Sequence, residues 1–302
     1  MTGFKSKIRS TFLGNYLISC YHCVTCKVVP FLISDEKAVK KYYKKHFGKD
    51  LNLNNPQSFS EKINWYKLNS HDPLMIKCAD KIAVRDYVKE KGYANNLNEV
   101  YGVYSKVSEI SPEELPEQFV IKASHGSHMN YIVKDKNNFD WKKAKKMMKT
   151  WLRQDIYWSG REWVYKTIPK RIFIEKYLED EYGELRDYKI FCFNGEPCFI
   201  QYDIGRFTKH YRNYYDLDFN LLPFQNGTEG NPDIIVNKPN GLKEMIQMAR
   251  DLSEPFQFAR IDFYQVKGQV YFGEITFFHE GGSTLFYPEK YELIIGQKWR
   301  LK

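Results

Sequence analysis

The sequence predicts an α+β protein: lobes of antiparallel sheet with flanking helices, preceded by a helical N-terminal region. Three observations predict it. Arg260-Ile261-Asp262-Phe263-Tyr264 and Tyr271-Phe272-Gly273-Glu274-Ile275-Thr276 are apolar-rich strands separated by a short connection. Asn194-Gly195 stands between two further strand-like runs, a combination that favours a two-residue hairpin. The segments before residue 92 have helix caps and helical periodicity instead. With 302 residues and 43% hydrophobic content, the chain can bury a substantial core.

The charge balance narrows the partners. Lys+Arg 46 against Asp+Glu 37 gives +9 and a pI near 9.0, which favours a nucleotide, an acidic polymer, nucleic acid or anionic lipid. No run reaches the ~20 continuous apolar residues of a membrane span, and mean hydropathy is −0.58. Six cysteines are too few and too clustered for a secreted disulfide scaffold, so a reducing cytoplasm is expected. Cys20, Cys23 and Cys26 have metal-ligand spacing but lack a fourth cysteine, and Cys20 and Cys23 also fall on one apolar helical face with Phe12, Leu13, Tyr16, Leu17 and Val24. Lys5, Lys7, Arg9 and Lys27 flank that face, leaving peripheral contact with the inner face of a membrane open.

In chain order, Asp35–Phe47 reads as a basic helix, ended by turn chemistry at Asn52, Asn54, Asn55 and Pro56. Ser58 and Glu61 have capping-box spacing at the start of the next helix. A further helix is expected over residues 73–91, stopped by Gly92. Phe119-Val120-Ile121-Lys122 and Tyr131-Ile132-Val133 read as strands joined by Ala123-Ser124-His125-Gly126-Ser127-His128. Such a loop exposes backbone N–H groups to phosphate, with Lys122 as a point charge; an ordinary hairpin is the alternative. His125 and His128 are expected to line a polar cleft. Asp140 caps a helix with a lysine-rich face. Strands follow at residues 171–178, 186–193 and 196–201.

Asp262 and Glu274 are the sharpest functional signal. Strand side chains alternate faces, so a three-residue loop at 267–269 sets the two carboxylates directly opposite, whereas a two-residue loop sets them on opposite faces. The chemistry favours the first register, since facing oxygen donors suit Mg²⁺ completed by substrate phosphates. Arg260, on the same face as Asp262, is then placed to meet those phosphates. A hairpin with a solvated acidic pair is the alternative.

Six ordered segments carry a family resemblance: N-P-Q-S-F-S-E-K from Asn55, D-K-I-A-V-R from Asp80, F-V-I-K-A-S-H-G-S from Phe119, I-E-K-Y-L from Ile174, D-Y-K-I-F-C-F-N-G from Asp187, and A-R-I-D-F-Y with F-G-E-I-T-F. From about Asp35 to the end, the chain resembles the ATP-grasp superfamily, and within it the TupA-like branch associated with teichuronopeptide and polysaccharide synthesis. The resemblance implies an ATP-grasp fold in four parts: a basic helical extension (1–50), a helical region (51–115), a small lid lobe (116–175) and a large lobe with the metal site (176–302). It implies that Lys81, Lys122 and the loop of Ser124, Gly126 and Ser127 contact ATP phosphates. Glu175, Lys176, Tyr177 and Leu178 become the hinge that holds adenine, with Glu184 on the ribose and Asp187 its rival. Lys189 and Arg260 neutralise the γ-phosphoryl and acyl phosphate, and Asp262, Glu274 and Thr276 bind Mg²⁺. Many relatives have asparagine where Thr276 stands, which weakens the case for a second ion.

The implied activity is a carboxylate-amine ligase working through an acyl phosphate, joining an amino acid or amine to a uronic acid of a cell-surface polysaccharide such as a capsule. No nucleic acid is expected. Arg206, with Lys209, His210 and Arg212, is the expected acid-recognising cluster. Two other classes stay open: a glycosyltransferase, for which Asp216-Leu217-Asp218 supplies a D-x-D, and a non-catalytic nucleotide binder.

Overall fold

The structure, a computed structural model, describes residues 33–180, 183, 185–205, 209–234 and 236–302. Its helices are α1 (Asp35–Phe47), α2 (Phe59–Asn69), α3 (Pro73–Ala79), α4 (Val84–Glu90), α5 (Trp141–Trp151), α6 (Tyr157–Gly160), α7 (Leu242–Ser253) and α8 (Lys290–Lys298). The strands are β1 (Val100–Tyr104), β2 (Phe119–Ala123), β3 (Asn130–Val133), β4 (Ile172–Lys176), β5 (Asp187–Phe193), β6 (Glu196–Ile204), β7 (Tyr211–Tyr215), β8 (Gln225–Asn226), β9 (Phe258–Val266), β10 (Gln269–Thr276) and β11 (Phe286–Tyr287). Among the described residues no helix is long and apolar enough to cross a membrane.

The chain divides into two compact units. The smaller contains Glu99–Tyr177 together with residues before Val39. Its antiparallel sheet runs β1-β4-β2-β3. Strand alternation turns Phe119 and Ile121 of β2 and Ile172 and Ile174 of β4 into one core with Ala144, Met147, Met148 and Trp151 of α5. The lysines of α5 stay on its opposite face. Asp140 caps that helix by accepting from the Lys143 N–H, as the sequence indicates.

The larger unit contains Val39–Asn98 and Leu178–Lys302. Its antiparallel sheet runs β10-β9-β5-β6-β7. Period-two alternation gives it two different faces. Ile190 and Cys192 of β5 share one face with Ala259 and Ile261 of β9, and the amphipathic α7 buries Met245, Met248, Ala249 and Leu252 against the sheet. The other face changes character along the strands. Phe193, Phe258, Phe199, Phe191 and Tyr214 meet Phe59, Phe286 and Trp299 in an aromatic cluster. Farther along the same strands stand Lys189, Asp187, Arg260, Asp262, Asp203 and Arg212. The aromatic end fixes the sheet on α2 and α8, and the charged end lies beyond it.

Three local features position that end. The Ser58 capping box forms at α2, with Glu61 N–H donating to Ser58 Oγ and Ser58 N–H to Glu61 Oε2. Lys67 and Asn64 of α2 then donate to the carbonyls of Gly281 and Gly282, holding the tight turn at His279–Gly282. The continuous helix expected over 73–91 is two helices, because Asp80 takes an extended backbone and its side chain accepts the Ile82 N–H at 2.9 Å. This side-chain turn competes with the helical ladder and interrupts it at Lys81.

The β9–β10 hairpin also departs from the expected loop. Its turn is the two-residue Lys267-Gly268, both at positive φ (51° and 83°), with Val266 paired to Gln269. That register continues to Phe263–Phe272 and shifts at Gly273, so that Asp262 faces Glu274. The expected facing pair forms, but a β-bulge restores it, not a three-residue loop. Glycine is needed there: a Cβ on Gly273 would lie 2.9 Å from the Asp262 carbonyl oxygen.

Candidate active site

The charged end of the larger sheet gathers most of the expected residues. The Arg260 guanidinium grips Asp262 through Nε–Oδ1 and Nη2–Oδ2 contacts, both 2.7 Å. This bidentate geometry is one that lysine cannot reproduce. Lys189 donates to the same Asp262 Oδ2 at 2.7 Å and to Asp187 at 3.1 Å. Lys81, released by the helix break, lies 2.8 Å from Glu274 Oε2. The Thr276 hydroxyl accepts from Arg260 Nη2 and donates to Glu274 Oε1. Each carboxylate is thus already matched by a cation. Burial would raise the Glu274 carboxyl, but Lys81 and then Arg260 and Lys189 outweigh it and hold it well below the usual range.

Among the described residues no group of three or more His, Cys, Asp or Glu side chains gathers into a metal site. The donor set of Asp262, Glu274 and Thr276 is nevertheless all oxygen, and its two carboxylates stand opposite one another, as a hard divalent ion requires. Glu274 has a side chain 31% exposed, whereas Asp262 is almost fully buried with both oxygens on Arg260.

A second polar centre adjoins the first, joining His210 and Arg212 of the expected acid-recognising cluster to Asp203, Glu280, Asn226 and His279, which sequence reasoning missed. Asp203 faces Arg212 across β6 and β7, accepting from its Nε at 2.8 Å and pairing with His210 at 3.1 Å. Burial opposes the Asp203 charge, but the His210 hydrogen bond and Arg212 hold its carboxyl below the usual range. Arg212 also donates through Nη1 to Glu280 Oε1 at 3.0 Å and to the Asn226 carbonyl at 3.1 Å. His279 joins the two centres. Arg260 can only donate, so His279 Nδ1 accepts from Arg260 Nη1 at 2.9 Å; the proton sits on Nε2, which donates to Asn226 Oδ1 at 3.1 Å. Burial and the neighbouring Arg260 charge keep this imidazole neutral, well below its ordinary pKa.

In the smaller unit, Lys122 pairs with Glu175 at 2.5 Å. The Ser124 hydroxyl bonds to the Pro169 carbonyl and Arg171 N–H, anchoring the start of the loop inside its own lobe. Gly126 packs against Ile156, while Ser127 is exposed. His125 does not line a cleft: it is buried and donates from Nε2 to the Trp151 carbonyl. Lys176 donates its backbone N–H to Glu99, and the Tyr177 ring lies under Lys134. Tyr177 ends this unit and Leu178 begins the next segment of the other. Asp187 is buried beside Lys189, away from solvent. Glu184, Arg206, Cys20, Cys23 and Cys26 lie outside the described residues. Lys209 lies over the Tyr211 ring. Asp216-Leu217-Asp218 is a turn closed on itself, with Asp216 accepting from the Asp218 and Asn220 N–H groups.

A family model described as TupA-like ATP-grasp matches residues 61–300. The chain belongs to the TupA-like ATP-grasp family. The match begins within the capping-box motif, later than the start near Asp35 that the resemblance indicated. No curated protein matches the chain in sequence. ATP-grasp structures similar to it include a D-alanine–D-alanine ligase from Bacillus anthracis complexed with ATP (16% identity, 68% of this chain and 57% of that one, TM-score 0.41). Others are the Helicobacter pylori enzyme of the same name (14%, 74% and 61%, 0.40) and an L-amino acid ligase from Bacillus licheniformis (16%, 82% and 56%, 0.43). The chain therefore spans little more than half the length of these three structures.

Signals for the residues that sequence reasoning missed were weak but present. Asp203 follows Gln201 at strand period, and His279-Glu280-Gly281-Gly282 places a glycine pair after a strand.

Proposed function

We propose that the chain is an ATP-dependent carboxylate-amine ligase. The observation that carries this reading is the alternation of Lys81, Lys189 and Arg260 with Glu274, Asp187 and Asp262 at one end of one sheet face. Phosphoryl transfer to a carboxylate needs cations at the migrating group and oxygen donors for a divalent ion, with little covalent work from the protein. Lys81 and Lys122, with the loop at Gly126 and Ser127, bind ATP phosphates; the hinge of Glu175, Lys176, Tyr177 and Leu178 takes adenine through its backbone, with Glu184 on the ribose.

A substrate carboxylate oxygen attacks the γ-phosphorus in line, ADP leaves, and an amine then displaces phosphate from the acyl phosphate. Lys189 and Arg260 offset the developing charge, and their strand-held carboxylates fix their direction beforehand. Asp262, Glu274 and Thr276 would hold Mg²⁺, which when bound would offset phosphate charge. Arg206 contributes to acid recognition. A uronic acid of a cell-surface polysaccharide precursor is the proposed acid and an amino acid or amine its partner, in the cytoplasm.

The test is ADP release from MgATP with a panel of uronic acids and amino acids. ADP formation that requires both an acid and an amine supports the ligase. UDP release from nucleotide sugars, or no turnover with any pair, overturns it. Asp262→Ala should lower turnover by orders of magnitude in a folded protein.

A further inference from the structure

We infer that Glu280, Arg212 and Asn226 form a preassembled site for a zwitterion, and that the amine substrate is an α-amino acid held there by both its charged groups. The inference rests on the ligase reading only for calling this ligand the amine substrate.

Three independent features point to a ligand. Glu280 has a side chain 38% exposed, and only Oε1 is engaged, by Arg212; Oε2 has no hydrogen bond among the described residues. Its backbone is left-handed (φ 48°, ψ 29°) and is followed by Gly281 and Gly282 at φ 60° and 68°. A non-glycine residue adopts this conformation at a cost, and here Lys67 and Asn64 brace the turn from α2. That bracing fixes where the Glu280 side chain starts.

Arg212 is oriented by two carboxylates and the Asn226 carbonyl through Nε and Nη1, while Nη2 has no hydrogen bond among the described residues. Asn226, 1% exposed, is the third feature. Its Nδ2 is buried with no hydrogen-bond partner. Swapping the amide ends does not repair this, because Oδ1 already accepts from His279 Nε2, whose proton is fixed by Arg260 at Nδ1, and from Thr284 Oγ1. A buried N–H pair without an acceptor is costly, and it marks a place where an acceptor belongs.

One Glu280 carboxylate oxygen lacks a donor, and donors on two neighbouring residues, Arg212 Nη2 and the buried Asn226 Nδ2, lack an acceptor among the described residues. Arg212 bonds to the Glu280 carboxylate and to the Asn226 backbone carbonyl, so the three residues are neighbours. The complement is a small molecule with an ammonium for Glu280 and a carboxylate for Arg212 and Asn226. A simple amine would leave the donors unmet, and a uronic acid would leave Glu280 unmet.

The experiment is calorimetric titration of the full chain, with and without MgADP, against a panel of L- and D-α-amino acids. Each binder is then compared with its methyl ester, which lacks the carboxylate, and its α-hydroxy acid analogue, which lacks the ammonium. At least one amino acid should bind, with both analogues weaker by about tenfold or more. Glu280→Gln should weaken the amino acid by a similar factor and leave the hydroxy acid unchanged, a split that a purely structural role does not give. The inference is overturned if no amino acid binds, if either analogue binds as tightly, or if Glu280→Gln weakens all three ligands alike. Titration of MgADP alone reports separately on the nucleotide site, so failure of the ligase reading appears there.

Discussion

Lys81 Nζ and Glu274 Oε2 are 2.8 Å apart, so a cation assigned to phosphate and a carboxylate assigned to the divalent ion neutralise one another before either ligand arrives. A phosphate that draws Lys81 away from Glu274 would free that carboxylate for the ion, and an ion that draws Glu274 away would free Lys81 for phosphate. Each ligand therefore prepares the site for the other. ADP affinity measured in EDTA should be about tenfold or more below that in Mg²⁺, within the usual range of coupling between sites. Glu274→Gln should bind ADP more tightly than wild type in EDTA and lose most of the Mg²⁺ effect. Equal affinities with and without Mg²⁺ in the wild type would refute the coupling.

Gly273→Ala tests the bulge. Its new Cβ would meet the Asp262 carbonyl oxygen at 2.9 Å, a backbone atom that moves only with the strand. We expect a loss of about 1–3 kcal/mol, typical of overpacking, measured by denaturant unfolding. ADP formation should fall further than this loss of stability explains, because the Asp262–Glu274 register is disturbed. Wild-type stability with wild-type turnover would show that the bulge is dispensable.

Acid stability should fall in two stages. His279 is held below its unfolded value of about 6.5, so its contribution is present above that pH and diminishes as the pH falls below it. Asp203 is held below its unfolded value of about 3.9, so its contribution is lost only as the pH falls below that value toward its depressed folded pKa. Melting temperature followed from pH 7 to pH 2 should decline from near pH 6.5 and steepen below about pH 4. Glu274, also held below its unfolded value, titrates in the same lower range, so Asp203→Asn should weaken the lower stage without abolishing it. A melting temperature constant down to pH 4 contradicts the His279 assignment.

Nucleotide should order the small-lobe loop unevenly. Ser124 and His125 are already bonded within their unit, whereas Ser127 and His128 are exposed, His128 at φ 59°. Saturating MgATP should raise hydrogen-exchange protection at residues 127–130 and leave 124 and 125 nearly unchanged. No change at 127–130 removes this loop from the phosphate site.

Most of the strands, the capping box at Ser58 and the Asn194-Gly195 turn were legible because each is decided by residues within a few positions. The pairing of Asp262 with Glu274 was legible for a different reason: chemistry favoured it although the local turn did not, and the compensating shift at Gly273 depends on cross-strand contact. The break at Asp80 was hidden by apolar periodicity on both sides of it. His279, Asn226 and Glu280 were not legible as a group, since their roles depend on Arg260 and Arg212 from other strands.

The position of that register shift has a practical consequence. Four rungs of ladder, from Val266–Gln269 to Phe263–Phe272, lie between the hairpin tip and the bulge that aligns the carboxylates. Lys267 and Gly268 are exposed, and a Cβ on Gly268 would touch nothing within 4 Å. The tip is thus separated from the facing carboxylates by regular ladder. A short epitope or dye-labelled peptide spliced between Lys267 and Gly268 should leave the facing carboxylates in place, giving this protein an attachment point on the same hairpin as its candidate site.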